Sequence, residues 1–275
     1  MKKVAVFVGG GSGIGLATAK YMPKDKIIVL ACRTESKLED AVEQLKELGY
    51  EAYYKVCDIV EREQVKELAE YANTLGEITT VINSAGYSPA MAKGDPSILL
   101  KVNSLGTVHV NEEFVKYMRA GSVIVCMGSI SAYQMPDIMV NKKSFPLAET
   151  DPELFIKKNM KLSKFINDEY GAAGVVYGAS KSFVLWYMGK CALEYGRKKI
   201  RVVSVSPGFI STSMGELEMS QGGCMDIINN TAEGRMGTPE EAGYAVATIA
   251  DERNSYLTGV DILLDGGFVL ASKKK

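Results

Sequence analysis

Val4-Ala5-Val6-Phe7-Val8-Gly9-Gly10-Gly11-Ser12-Gly13-Ile14-Gly15 decides the fold of this chain. Five consecutive apolar residues make a short buried strand, and the glycines after them let the backbone turn sharply into a helical pattern over residues 13–22. Such a turn brings the main chain close to a pyrophosphate, while the helix N-terminus directs free N–H groups and a positive dipole end at the same anion. The spacing Gly9-x-x-x-Gly13-x-Gly15 is neither Gly-x-Gly-x-x-Gly nor a Walker loop, because no Gly-Lys-Ser/Thr follows. A glycine-rich turn alone can be structural. Its place between strand and helix makes it a nucleotide loop.

The alternation continues outward. Strand-length runs at 27–31 and 52–56 are followed by helical periodicity at 36–48 and 62–75, and further strands are expected at 79–83, 122–127, 201–205 and 261–264. This is the βαβαβ rhythm of an α/β fold, a single doubly wound parallel β-sheet of Rossmann type with helices on both faces. One domain spanning 1–275 is expected, since no linker divides it. The segment from about 134 to 174 departs from the rhythm. It carries Pro136, Pro146 and Pro152 where a short connection would do, and reads as an inserted helical or loop excursion: a surface elaboration or oligomer contact, or else an element covering substrate. Its lysines (Lys142, Lys143, Lys157, Lys158, Lys161, Lys164) are matched in number by acids (Asp137, Glu149, Asp151, Glu153, Asp168, Glu169), so charge there gives no sign of an anionic substrate.

Composition narrows the function. With 47% hydrophobic and 24% charged residues and a net charge of −1, the chain is expected to be a soluble globular protein with no electrostatic case for nucleic acid. The apolar runs are far short of a membrane span, no export signal is visible, and Lys273-Lys274-Lys275 reads as a solvated tail. Cys32, Cys57, Cys126, Cys191 and Cys224 are scattered without a Cys-x-x-Cys pair, which points to reduced thiols in a cytoplasm and to no metal site. His109 is the single histidine and reads as a packing residue, so acid–base work falls to Tyr, Lys, Asp or Glu.

Tyr177-Gly178-Ala179-Ser180-Lys181 places a phenol and an ammonium at i and i+4 on one helix face, where the cation can favour the ionised phenol. At the end of the second strand, where an Asp or Glu would grip a ribose 2′-hydroxyl, stands Cys32-Arg33-Thr34. Arg33 offers a 2′-phosphate a forked cationic donor, so NADP(H) is expected over NAD(H); the alternative is that Arg33 pairs with Glu35 or Glu39.

With these pieces in order, the chain resembles the short-chain dehydrogenase/reductases over nearly its whole length. Gly9 to Gly15 resembles the family's cofactor loop, with Val8 where Thr is usual. Cys57-Asp58-Ile59 resembles the segment that meets the adenine, Asn83-Ser84-Ala85-Gly86 is similar to Asn-Asn-Ala-Gly, and Lys101-Val102-Asn103 matches the segment carrying the active-site Asn. Met127-Gly128-Ser129 matches the strand end with the catalytic Ser, Ser131 being a rival two residues later. Pro207-Gly208-Phe209-Ile210-Ser211-Thr212 resembles the loop beside the nicotinamide, and Asp265-Gly266-Gly267 the close of the last strand.

The resemblance implies hydride transfer between a nicotinamide and a carbonyl or alcohol carbon. Tyr177 becomes the acid–base group. Lys181 lowers its pKa and binds the nicotinamide ribose, Ser129 bonds the reacting oxygen, and Asn103 holds a water linking Lys181 to solvent. The cofactor-binding set it implies is Gly9, Gly11, Ser12, Gly13, Ile14, Gly15, Arg33, Asp58, Ile59, Asn83, Ala85, Gly86, Tyr177, Lys181, Pro207, Gly208, Ile210 and Thr212. The short approach from Gly86 to Asn103 and the long one from Ser129 to Tyr177 resemble the bacterial 3α-hydroxysteroid dehydrogenase/carbonyl reductase branch. That implies a hydroxysteroid or ketosteroid substrate, a homo-oligomer whose usual contacts the insertion alters, and a substrate lid over about 212–236. Met214, Leu217, Met219 and Met225 would give that lid an apolar lining, and Gly222 and Gly223 a hinge. Two further readings stand beside it: a general reductase of small ketones, aldehydes or quinones, and a dinucleotide-sensing protein without turnover, whose signature would be loss of Tyr177, Lys181 or Ser129.

Overall fold

A computed structural model describes residues 1–221, 228–229 and 231–273, so Gly222, Gly223, Cys224, Met225 and the last two lysines lie outside the described residues. Seven strands, β1 (Lys3–Val8), β2 (Lys26–Cys32), β3 (Ala52–Val56), β4 (Glu77–Asn83), β5 (Val123–Met127), β6 (Arg201–Pro207) and β7 (Asp261–Leu264), form one sheet in the order β3-β2-β1-β4-β5-β6-β7. Every neighbouring pair is parallel. The central strands are buried on both faces, which is why they read as unbroken apolar runs rather than alternating ones.

Alternation reappears in what each side chain meets. Val4, Val6 and Val8 point into one core layer and Ala5 and Phe7 into the other. On the second face lie α1 (Gly13–Ala19) and α2 (Glu35–Glu47), the latter presenting Leu38, Ala41, Val42 and Leu45 at helical spacing. On the first lie α3 (Arg62–Leu75), with Val65, Leu68, Ala69 and Ala72, and α4 (Gly106–Phe114), with Val108, Val110 and Phe114.

The segment between β5 and the next long helix winds through short 3₁₀ turns and the helices Leu147–Thr150 and α5 (Pro152–Asn159), the latter capped by Asp151 accepting from Leu154 N at 3.0 Å. Its last residues already belong to α6 (Glu169–Gly196), which carries Tyr177 and Lys181. Phe145 and Phe155 are fully buried, with ring centroids 5.3 and 5.1 Å from Phe183 of α6, and Lys190 pairs with Glu149 at 2.6 Å. Aromatic packing of this kind stabilises by roughly 0.5–1.5 kcal/mol per pair beyond area burial, so the excursion is fastened to α6 rather than free of it. Between β6 and β7 lie α7 (Ser213–Ser220) and α8 (Pro239–Ala250), the latter with a capping box formed by Thr238 and Glu241, and a short helix, Phe268–Ser272, follows β7. Among the described residues no helix is long and apolar enough to cross a membrane, and no group of three or more His, Cys, Asp or Glu could hold a metal ion.

Candidate active site

The sheet order reverses beside β1, whose neighbours β2 and β4 carry the chain away in opposite directions, and a crevice opens there at the strands' C-terminal ends. A cavity of about 890 Å³ occupies it. Gly9, Gly11, Ser12, Gly13, Ile14 and Gly15 form one wall. Their side-chain economy has a geometric cause: Gly9 has φ +85°, and a Cβ on it would lie 2.5 Å from Ala85 N, while a Cβ on Gly15 would lie 2.4 Å from Ser84 Oγ. The loop is thus wedged against the end of β4, where Ser84 Oγ donates to Val8 O at 3.0 Å.

Arg33, Asp58 and Ile59 line the far end. The Arg33 guanidinium lies 4.9 Å from the Tyr87 ring centroid and 3.9 Å from Asp58 Oδ2. Glu35 and Glu39 instead accept from Tyr54 OH, so the carboxylate facing Arg33 is neither of the two weighed in the sequence. Ala85 and Gly86 also line the cavity, as do Pro207, Gly208, Ile210 and Thr212 beyond β6. Thr212 caps α7 by accepting from Gly215 N at 3.2 Å.

Tyr177, Lys181 and Ser129 meet at the centre of the same cavity. Lys181 Nζ donates to Met127 O at 2.9 Å and lies 5.8 Å from the Tyr177 ring centroid. Burial pushes the Lys181 ammonium down to about 8. Burial pushes the Tyr177 phenol up to about 12; hydrogen bonding by Ser129 opposes this and the charge of Glu218 adds to it. The net shift is opposite in direction to the lowering expected of Lys181, because desolvation is its largest cause, and no contribution from Lys181 is resolved. Ser129 Oγ accepts from Ser131 N at 3.2 Å and donates to Ser131 Oγ at 3.3 Å, so the two rival serines stand together, with Ser129 the one that acts on the phenol.

Two expected residues do not face the cavity. Asn103 is buried within a π-helical turn, Leu100–Leu105, and its amide is consumed by the scaffold: it accepts from Tyr87 N at 2.8 Å and donates to Tyr87 O and Ser180 Oγ at 3.0 and 3.1 Å. Asn83 is buried beneath, donating to Thr107 Oγ1 at 3.3 Å. His109 bonds Ile59 O through Nδ1 at 2.8 Å, and burial lowers its pKa.

Sequence reading missed Lys37, Tyr87, Tyr170 and Glu218, all of which line the cavity. Lys37 had a signal, standing one helical turn after Arg33 at the start of α2. Tyr170 and Glu218 had none, because their contact joins positions 48 residues apart.

The sequence profile described as "short chain dehydrogenase" matches residues 3–141, and one described as "Enoyl-(Acyl carrier protein) reductase" matches residues 160–269. Short-chain dehydrogenase/reductase bsc3 of Alternaria brassicicola is 28% identical, with 97% of this chain and 96% of that protein covered. Carbonyl reductase family member 4 of Xenopus laevis is 29% identical over 98% of this chain and 99% of its own length. A short-chain dehydrogenase/reductase structure from Serratia marcescens superposes with a TM-score of 0.76 at 22% identity, covering 97% of this chain and 98% of the other, which supports the fold. Matches of this extent, on a chain whose crevice gathers a glycine loop, a serine and a Tyr-x-x-x-Lys helix, place it in the short-chain dehydrogenase/reductase family of oxidoreductases.

Proposed function

We propose that the chain is an NADP(H)-dependent oxidoreductase that interconverts a secondary alcohol and a ketone. The observation that carries this reading is the convergence of Ser129, Tyr177 and Lys181 on one cavity whose far wall is the glycine loop. That cavity fits a dinucleotide: Gly9, Gly11, Gly13 and Gly15 bring main chain rather than side chains to its surface, as a pyrophosphate cradle requires, and Gly9 and Gly15, with no room for a Cβ against Ala85 and Ser84, seat the loop on the β4 end. Asp58 and Ile59 would flank the adenine, and Pro207, Gly208, Ile210 and Thr212 the nicotinamide. Arg33 and Lys37 together favour a 2′-phosphate, with NAD(H) as the alternative.

When bound, the cofactor supplies or accepts the hydride. Tyr177 gives its proton to the carbonyl oxygen in reduction and recovers it in oxidation, and Ser129 Oγ hydrogen-bonds that oxygen. Lys181 spends one N–H on Met127 O, which aims the remaining two toward the nicotinamide ribose and the proton path. Asn103 holds the Tyr87 main chain and thereby the wall of the cavity, and the water relay to Lys181 belongs to this reading.

The substrate is an apolar ketone or alcohol. A hydroxysteroid is the specific case implied by the resemblance to the bacterial 3α-hydroxysteroid dehydrogenase/carbonyl reductase branch that the Gly86–Asn103 and Ser129–Tyr177 separations carry; the name of the Xenopus relative favours a broader carbonyl reductase as the second reading. Residues 134–174 and the described residues 212–221 of the single domain would enclose it, the rest of the expected lid to 236 lying partly outside the described residues, with a homo-oligomer as the assembly. Loss of absorbance by NADPH and by NADH, followed with a panel of ketosteroids beside small ketones, tests all of this. Faster oxidation of NADPH with at least one ketone is expected; no oxidation with any carbonyl overturns the reading.

A further inference from the structure

Ser131, two residues beyond Ser129, has no part in the proton transfer described above, yet it lines the same cavity. It opens a short helix, Ser131–Gln134, just past the end of β5. That helix is held from several directions. Ile130 N donates to Pro207 O at 3.1 Å, Tyr133 OH donates to Asp261 Oδ2 at 2.6 Å, and a Cβ on Gly178 of α6 would lie 2.4 Å from Met135 Cε. Gly178 directly follows Tyr177, so Ser131 belongs to a fixed wall beside the reacting phenol.

A serine hydroxyl has one hydrogen to donate. Ser129 gives its own to Ser131 Oγ at 3.3 Å while accepting from Ser131 N at 3.2 Å, and it is also bonded to the Tyr177 phenol. Ser131 Oγ thus lies two hydrogen bonds from the proton that moves. In the proposed reaction the Ser129 hydrogen turns to the substrate carbonyl. Ser131 Oγ then stays in place and loses its donor, since among the described residues no other group hydrogen-bonds it. Beside it the cavity is lined by apolar side chains, Met135 among them, and a bound ketone displaces water from that wall. An oxygen on the carbon next to the carbonyl restores the lost bond. Two oxygens on neighbouring carbons, held on the same side, have nearly the spacing of the two serine hydroxyls, so one ligand can meet both serines at once. A methyl in that position leaves Ser131 unpaired.

We propose that Ser131 is a specificity residue that selects ketones carrying a hydroxyl or a second carbonyl on the carbon beside the reacting one, on an otherwise apolar body. This rests on the oxidoreductase reading and deepens it. The hydride still goes to the reacting carbonyl carbon and the Tyr177 proton to its oxygen; Ser131 holds the neighbouring oxygen, and the product is a vicinal diol or a hydroxyketone.

2-Hydroxyacetophenone and propiophenone test it, because they differ by a hydroxyl against a methyl on the carbon beside the carbonyl. With NADPH, kcat/KM for the hydroxyketone is expected to exceed that for propiophenone at least about tenfold. Ser131→Ala removes the hydroxyl and keeps the main-chain N–H that Ser129 accepts from. It should slow the hydroxyketone about tenfold and move propiophenone less than about twofold, and Ser131→Thr should recover most of the preference. A ratio unchanged in Ser131→Ala overturns the proposal, and so does an equal loss with both ketones, which would make Ser131 a support for Ser129 alone. Propiophenone equal to or better than the hydroxyketone in the wild type also overturns it, and decides the matter if the variants do not fold. Calorimetric binding of both ketones to wild type and Ser131→Ala with NADP⁺ present separates the two readings. A preference for the hydroxyketone that vanishes in Ser131→Ala, without turnover of either ketone, sinks the oxidoreductase and keeps the selection; equal binding, or none, sinks the selection.

Discussion

Lys181 Nζ donates to the main-chain carbonyl of Met127 across 2.9 Å, joining the middle of a 28-residue helix to the C-terminal end of β5. The bond holds a cation where water is excluded, and burial brings the ammonium down to about 8 from an ordinary 10.5. In the folded chain Lys181 therefore loses its proton at lower pH than in the unfolded chain. Below pH 8 both states carry it and the desolvation cost is present in full. As pH rises from 8 toward 10.5 the unfolded chain binds more protons than the folded one, so folding gains stability, by about 3 kcal/mol in all. Lys181→Met lacks this dependence. Urea midpoints of wild type and variant, measured from pH 7 to 10, should diverge in favour of the wild type above pH 8; parallel curves would show that the ammonium is not depressed.

The phenol of Tyr177 is pushed up to about 12, so it is protonated across the neutral range and ready as an acid in reduction. Tyr177→Phe keeps the ring packed against the core and removes only the transferable proton. Ketone reduction with NADPH should slow by about 10²–10⁴-fold while the cofactor's Kd moves less than about threefold. A variant that reduces ketones near the wild-type rate would remove Tyr177 from the mechanism.

Much of this site is legible in the chain because its parts are local. Val4 to Gly15 encodes strand, turn and helix in one stretch, and Tyr177 and Lys181 share a face because four residues make about one turn. What the sequence hides is the balance of long-range terms. The i, i+4 spacing places a cation near the phenol, yet the desolvation that is the largest cause of its shift comes from residues of several distant elements. Asn103 is legible as a motif, but the π turn that sends its amide to Tyr87 depends on how Leu99, Leu100 and Val102 pack. Glu218 is an ordinary helix acid until Tyr170 and Ala90 are brought to it.

Arg33 faces the cavity from the end of β2 with its guanidinium against Tyr87 and half exposed, and Lys37 lies one turn along α2. Hydrogen bonds to a charged group contribute roughly 1.5–3 kcal/mol each, so Arg33→Ala should weaken NADPH binding by about 10–100-fold and leave NADH within about threefold. Lys37→Ala should act in the same direction and less strongly, since an ammonium makes no fork. The fluorescence change of each reduced cofactor on titration reads the two constants. Equal losses for NADPH and NADH would assign Arg33 to packing on Tyr87 rather than to the 2′-phosphate.

Gly9 and Gly94 separate backbone strain from crowding, because their φ angles are +85° and +84° but their surroundings differ. A side chain in this region costs roughly 1–2 kcal/mol at either site. At Gly94 nothing lies within 4 Å of the added Cβ, so Gly94→Ala should cost that amount alone. At Gly9 the Cβ falls 2.5 Å from Ala85 N and 2.8 Å from Ala85 Cα, backbone atoms that move only if the β4 end moves with them. Gly9→Ala should therefore cost at least about 2 kcal/mol more in urea unfolding and weaken NADPH binding as the loop and the β4 end part. Equal urea midpoints for the two variants would mean that the glycine loop is not wedged against β4, and the cradle assigned to the pyrophosphate would lose its geometric basis.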